Sequence, residues 1–97
     1  MHGFAGYQGN ALRRIRLQLA AARVSAARAR KAHRRGNHPG TPEQMSAIVA
    51  VAEARRDFLA GQARLIERGD RHAILRQVDP AAYLALTLPV RDLQDAA

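Results

Sequence analysis

The chain contains no cysteine, no tryptophan and four other aromatic residues. Without cysteine it has no disulfide framework, no thiolate metal site and no cysteine nucleophile. The lack of disulfides is also typical of proteins in a reducing compartment, so we expect a cytoplasmic, intracellular protein.

Long apolar runs are also missing. The most apolar stretch, residues 17–29, is interrupted by Arg23 and Arg28 and falls short of the roughly 18–20 apolar residues of a membrane span. The first ten residues lack the apolar run of a signal peptide. A basic helix lying on a membrane surface is disfavoured because the chain is alanine-rich and has few aromatic anchors. We therefore expect no membrane partner.

Acidic residues are absent before Glu43. Residues 1–42 carry a charge of +9 and residues 43–97 a charge of −1, which together give the net charge of +8. Such asymmetry favours an acidic partner, either nucleic acid or the acidic surface of a protein. Arginine outnumbers lysine 15 to 1, which suits phosphate binding but also follows from GC-rich codons. Codon bias does not explain why the acids avoid the first 42 residues.

The apolar content is less generous than it looks. Of 46 apolar residues, 21 are alanine, so the core of this 97-residue chain is narrow. A domain of this size buries only about 60–65% of its unfolded surface, which leaves a thin stability margin. We expect one small domain that gains apolar contacts from a second copy or from a partner.

A first long helix is predicted from Ala11 to Arg35, with Asn10 as its N-cap. Residues 1–10 contain three glycines and two aromatic residues, and are predicted to form a flexible arm because glycine is costly inside a helix. Apolar residues recur at alternating spacings of 3 and 4, as in a helix-packing seam. This seam consists of Leu12, Ile15, Leu19, Ala22, Ala26 and Ala29, and His33 continues it.

A second long helix is predicted from Pro42 to Arg68, with Gly69 after its end. Thr41, Pro42 and Gln44 form a helix start with a capping box and proline in the first position. The turn at residues 36–40 is short, so the two helices are predicted to form an antiparallel hairpin.

The second helix has a wider apolar arc than one neighbour requires. One stripe contains Met45, Ile48, Ala52, Leu59, Ala63 and Ile66, and the other contains Ala47, Val51, Ala54, Phe58 and Leu65. The first helix adds exposed apolar residues seven apart on its far side. We therefore expect a dimeric helical bundle, and the predicted partner or dimer interface consists of Leu17, Val24, Val51, Phe58 and Leu65.

One or two short helices are predicted to follow, the first capped by Asp70 and the second starting at Asp79-Pro80. The expected fold class is all-α, with a single helical domain at 11–88 and a frayed tail at 89–97. These short helices do not suit a DNA-reading helix-turn-helix, because the second offers only Tyr83 and Thr87 as polar side chains.

Catalytic motifs are not found, and we expect a non-enzymatic protein without a cofactor. His33 and His38 flank the turn and could approach a shared point, but they lack further ligands, so no metal site is predicted.

The first helix is therefore predicted to bind DNA or RNA through phosphate contacts. The alternative is a helical adaptor or inhibitor that docks on the acidic surface of a larger protein, such as a surface that normally holds nucleic acid. The candidate nucleic-acid-binding residues are Arg13, Arg14, Arg16, Arg23, Arg30, Lys31, Arg34 and Arg35.

Overall fold

The computed structural model describes residues 3–36 and 38–87 of the chain. They form four helices: α1 (Gly3–Arg35), α2 (Pro42–Glu67), α3 (Arg71–Val78) and α4 (Pro80–Thr87). The all-α prediction is confirmed for these residues, and α1 and α2 pack along each other as the predicted antiparallel hairpin. The predicted tail at 89–97 lies outside the described residues.

The start of α1 differs from the prediction. Gly3–Asn10 belong to the helix and do not form an arm, and Asn10 is a residue within the helix rather than its cap. Gln8 donates from Nε2 to the carbonyl of Ile66 at 2.8 Å and to that of Glu67 at 3.3 Å. These carbonyls are at the end of α2, where backbone oxygens have no amide partner within the helix, although that of Ile66 also accepts from the amide of Gly69 at 2.9 Å. The longer α1 therefore satisfies polar groups that the sequence pattern does not reveal.

The predicted helix boundaries are otherwise confirmed by the caps. Thr41 and Gln44 form the capping box, and Gly36 and Gly69 follow the two long helices with φ values of 64° and 83°. A positive φ strains residues that have a Cβ, which explains glycine at both sites. Asp70 accepts from the amide of Ala73, and Asp79 accepts from that of Ala82.

The core lies at the end of the hairpin that contains the α1 N-terminus. Its three largest fully buried side chains are Ile15, Ile66 and Ile74, one from each of α1, α2 and α3. Toward the interhelical turn, here called the tip, the buried residues of α1 are Ala22 and Ala26. Alanines let helices approach closely but contribute little buried area.

No described helix combines the length and apolar character needed to cross a membrane. The short helices α3 and α4 pack at the core end, and α3 contacts both long helices there. The molecule measures 53 × 35 × 16 Å, so it is an elongated hairpin with α3 and α4 added at one end.

Candidate nucleic-acid interface

The cations of α1 are all exposed in the structure. This set contains the eight predicted nucleic-acid-binding residues and Arg28. Among the described residues, one of these nine cations, Arg30, has an acidic side chain within ion-pair distance. The basic helix therefore presents most of its charge to solvent.

Four of these arginines follow one side of the hairpin, which we call the basic side. Its members are Arg16, Arg23, Arg30 and Arg34. Residues seven apart return to nearly the same angle on a helix, so the first three form a line about 21 Å long at 1.5 Å per residue. This line borders α2, because Arg30 Nη1 lies 3.4 Å from Glu53 Oε2.

The contact between Arg30 and Glu53 corrects one expectation. The acid-free first 42 residues suggest uncompensated cations, but folding brings an acid of α2 beside Arg30. Charge counted along the chain does not reveal this neighbour, because the two residues are joined by packing across the hairpin.

The acids in the middle of α2 also form ion pairs with an arginine of α2 itself. Arg56 Nη2 lies 3.0 Å from Asp57 Oδ1, and Arg56 Nη1 lies 3.9 Å from Glu53 Oε2. The hydrogen bond from Arg56 to Asp57, aided by the negative charges of Asp57 and Glu53, raises the pKa of Arg56 despite some desolvation. The single negative charge of Glu53 therefore lies near two arginines, Arg56 and Arg30, and cannot neutralise both of them.

The outer side of α1, which faces away from α2, combines cations with apolar side chains. Arg13, Lys31 and Arg35 lie on this side with Leu17 and Val24. Leu17 is 75% exposed and Val24 is 49% exposed, although both side chains are apolar. Phosphate binding alone gives no reason for these two apolar residues.

Two candidates near the core end are partly held by hydrogen bonds. Arg13 donates to Asn10 Oδ1, and Arg14 donates from Nη1 to the carbonyl of Gln77 at 3.2 Å. Both side chains remain exposed. They are positioned by the fold, which lowers the conformational entropy that a phosphate contact would cost.

The tip carries a shallow concavity lined by Ala27, Arg30, His33 and Arg34. The rings of His33 and His38 approach with centroids 6.3 Å apart, and the Nδ1 atoms of both rings are buried without a hydrogen-bond partner among the described residues. Within residues 3–36 and 38–87, no group of three metal-ligating side chains forms. The surrounding arginines also make the tip a poor place for a metal cation.

The five residues predicted for a partner or dimer interface do not form one surface. Val51 and Phe58 are exposed on α2, whereas Leu65 is half-buried and packs against the core. Leu17 and Val24 lie on the outer side of α1, away from these α2 residues. The structure therefore separates the α1 pair from the α2 pair.

Two features of α2 were not found by sequence reasoning. Ile48 shares a stripe by its spacing with Leu59 and Ile66, which are buried, but Ile48 itself is 52% exposed beside Val51. Arg76 of α3 lies over the rings of Phe58 and Tyr83, at 4.8 and 5.5 Å from their centroids. The spacing of apolar residues in α2 does not show how far α3 extends along it, so it does not show which α2 side chains α3 covers.

Comparisons with protein families, with curated proteins and with solved structures find no match.

Proposed function

We propose that this protein binds nucleic acid through phosphate contacts made by α1. The observation that carries the proposal is the exposure of nine cations on one helix, with one acidic partner among the described residues. Arginine suits this role because its planar guanidinium donates two parallel hydrogen bonds to a phosphate.

The length of the basic helix suits a duplex. From Arg13 to Arg35 the helix rises roughly 33 Å at 1.5 Å per residue, close to the 34–36 Å of one DNA turn. The cations occupy both the basic side and the outer side of α1, so they fit a backbone better than a single base edge. We expect contacts that position the protein on nucleic acid without strong sequence preference.

Salt dependence tests this function. Fluorescence anisotropy with labelled duplex DNA and duplex RNA should give tight binding at 50 mM salt and much weaker binding at 200 mM. Six phosphate contacts correspond to a loss of about 10³-fold over this range. Absence of binding at low salt, or binding that does not change with salt, would contradict the proposal.

A second function is favoured by the exposed apolar pair Leu17 and Val24. In this function the outer side of α1 docks on an acidic surface of a larger protein, and the pair becomes covered. The test is recovery of a stoichiometric protein after nuclease treatment, compared with the variant Leu17→Gln/Val24→Gln. Loss of that protein from the variant, with nucleic-acid binding unchanged, would favour the adaptor function.

The expected homodimer also belongs to the proposal. Val51 and Phe58 of α2 remain exposed after α3 and α4 have packed. A small core with exposed apolar side chains is stabilised when a second copy covers them.

A further inference from the structure

An apolar groove runs between α1 and α2 on the side of the hairpin opposite the basic side. Gln18 and Ser25 border it, and each follows an arginine of the basic side by two residues, a rotation of about 200° around the helix. The groove is open and has a volume of about 560 Å³. Its lining consists of Gln18, Ala21, Ala22, Ser25, Ala47, Ile48, Val51, Ala52 and Arg55.

The groove continues the face that α3 covers. Gln18 donates to the side chain of Gln77 near the end of α3 at 3.2 Å, and the same Gln18 lines the groove. On α2, Phe58 lies under Arg76 of α3, whereas Arg55 borders the groove one turn nearer the tip. One face of the hairpin is therefore covered near the core and uncovered toward the tip.

The uncovered part places large apolar side chains beside a depression of small residues. Ile48 and Val51 project beside a depression of small residues, including Ala21 and Ala22. Two such faces related by a twofold axis can each insert their large side chains into the other's depression. Burying these exposed side chains is favourable by about 25 cal/mol per Å² of apolar area.

The outline of the molecule also suits an antiparallel pair. Because α3 and α4 occupy only the core end, the groove lies beside a step in the molecular surface. In an antiparallel pair, the step of each copy lies next to the tip of the other. Such a pair would bring the two grooves together and leave α3 in its place.

Charge favours this side for self-association over the two cationic sides of α1. Among the nine lining residues of the groove, Arg55 is the one charged residue. The basic side and the outer side of α1 both carry several exposed cations, so pairing two copies through either would bring like charges together. In a chain with a net charge of +8, pairing through the groove therefore brings fewer like charges together than pairing through either of these two sides, although Arg14 and Arg28 flank the α1 wall of the groove.

We propose that two copies associate through this groove, and that the dimer thereby bridges two nucleic-acid segments. The bridging rests on the proposed function, whereas the groove pairing does not. Since the groove and the basic side lie on opposite sides of the hairpin, pairing through the groove leaves the two basic sides facing away from each other. One dimer then binds one nucleic-acid segment on each of its two basic sides.

Light scattering tests the pairing, with matched variants. The full chain should have about twice the 10.6 kDa monomer mass at high micromolar concentration. Ile48→Gln/Val51→Gln should give the monomer mass, whereas Leu17→Gln/Val24→Gln should remain dimeric, because its exposed residues lie outside the groove. Both pairs are uncharged changes at exposed helix positions, and circular dichroism should show that both variants fold. A monomeric wild type, or equal dissociation by both variants, would overturn the proposal.

A capture assay tests the bridging. A duplex fixed to beads should retain a second, labelled duplex when wild-type protein is added, and the Ile48→Gln/Val51→Gln variant should lose most of this retention while still binding one duplex. Single-duplex binding by a wild-type dimer without retention of the second duplex would overturn the bridging. A groove dimer that binds no duplex would instead refute the proposed function and leave the pairing intact.

Discussion

The two ends of the hairpin are stabilised in different ways. At the core end, Ile15, Ile66 and Ile74 from three helices are fully buried against one another. At the tip, the buried residues are small or isolated, as with Ala26 and Met45, which lie outside the main cluster. Local hydrogen bonds therefore contribute a larger share of the stability at the tip, and they include the capping box of Thr41 and Gln44. Tertiary packing fixes one end of the hairpin, and cap and turn chemistry fix the other.

The largest effect is expected from truncating the core end. Ile66→Ala should lower the free energy of unfolding by about 3–5 kcal/mol, because the side chain is fully buried and neighbours cannot fill the space. Met45→Ala near the tip should cost less, about 2 kcal/mol, because Met45 lies outside the main cluster. Urea unfolding checks both values. Equal losses would contradict the difference between the ends, and Ile66→Val, at about 1 kcal/mol, keeps the test possible if Ile66→Ala does not fold.

A smaller loss is expected at the tip from removing a cap. Thr41→Ala should cost about 1 kcal/mol, because the amide of Gln44 loses its acceptor, Thr41 Oγ1. Ser46→Ala provides the control, since Ser46 is an exposed hydroxyl residue inside α2 and has no cap role. Thermal and urea unfolding measure both. A Thr41 variant as stable as the Ser46 variant would show that the cap does not stabilise the tip.

A gain is expected at the N-terminal part of α1. Gly9→Ala should raise the free energy of unfolding by about 0.5–1 kcal/mol, because the position is helical and a Cβ there meets open space. Gly36→Ala should have the opposite sign, since Gly36 has φ of 64°. Unchanged stability in the Gly9 variant would indicate that residues near Gly9 are not helical in solution.

The smallest effect on stability is expected between the two ends, at the ion pair of Arg30 and Glu53. Glu53→Gln should change the free energy of unfolding by less than about 1 kcal/mol, because both side chains are partly exposed. It should nevertheless strengthen duplex binding a few-fold at low salt, since Arg30 loses its counter-ion. Glu67→Gln makes the same charge change at the core end. Equal gains in both variants would indicate net charge rather than release of Arg30.

Sequence signals predicted the local parts of this fold well. The caps at Thr41, Asp70 and Asp79 and the glycines that follow the long helices act through neighbouring residues, so a single sequence contains the relevant information. The predicted start of α1 was wrong. The cost of its glycines is visible locally in the sequence, whereas Gln8 bonds to residues of α2 that are 58 and 59 positions further along the chain.

The candidate site shows the same division. The nine cations and their exposure follow from the helical pattern and from the absence of early acids. The pairing of Arg30 with Glu53 and the open groove beside Val51 depend on how α1, α2 and α3 pack. Apolar spacing grouped Ile48 with the buried residues Leu59 and Ile66, because spacing does not indicate how far α3 extends along α2.

The most direct test of the central claim compares two double variants in duplex binding at 50 mM salt. Arg16→Gln/Arg23→Gln removes two charges from the basic side, and Arg64→Gln/Arg68→Gln removes two exposed charges outside α1. We expect the first pair of substitutions to weaken binding by at least about tenfold and to lower the slope of log affinity against log salt by about 2, whereas the second pair should have a small effect. Equal weakening by the two variants would contradict the claim that α1 is the nucleic-acid interface.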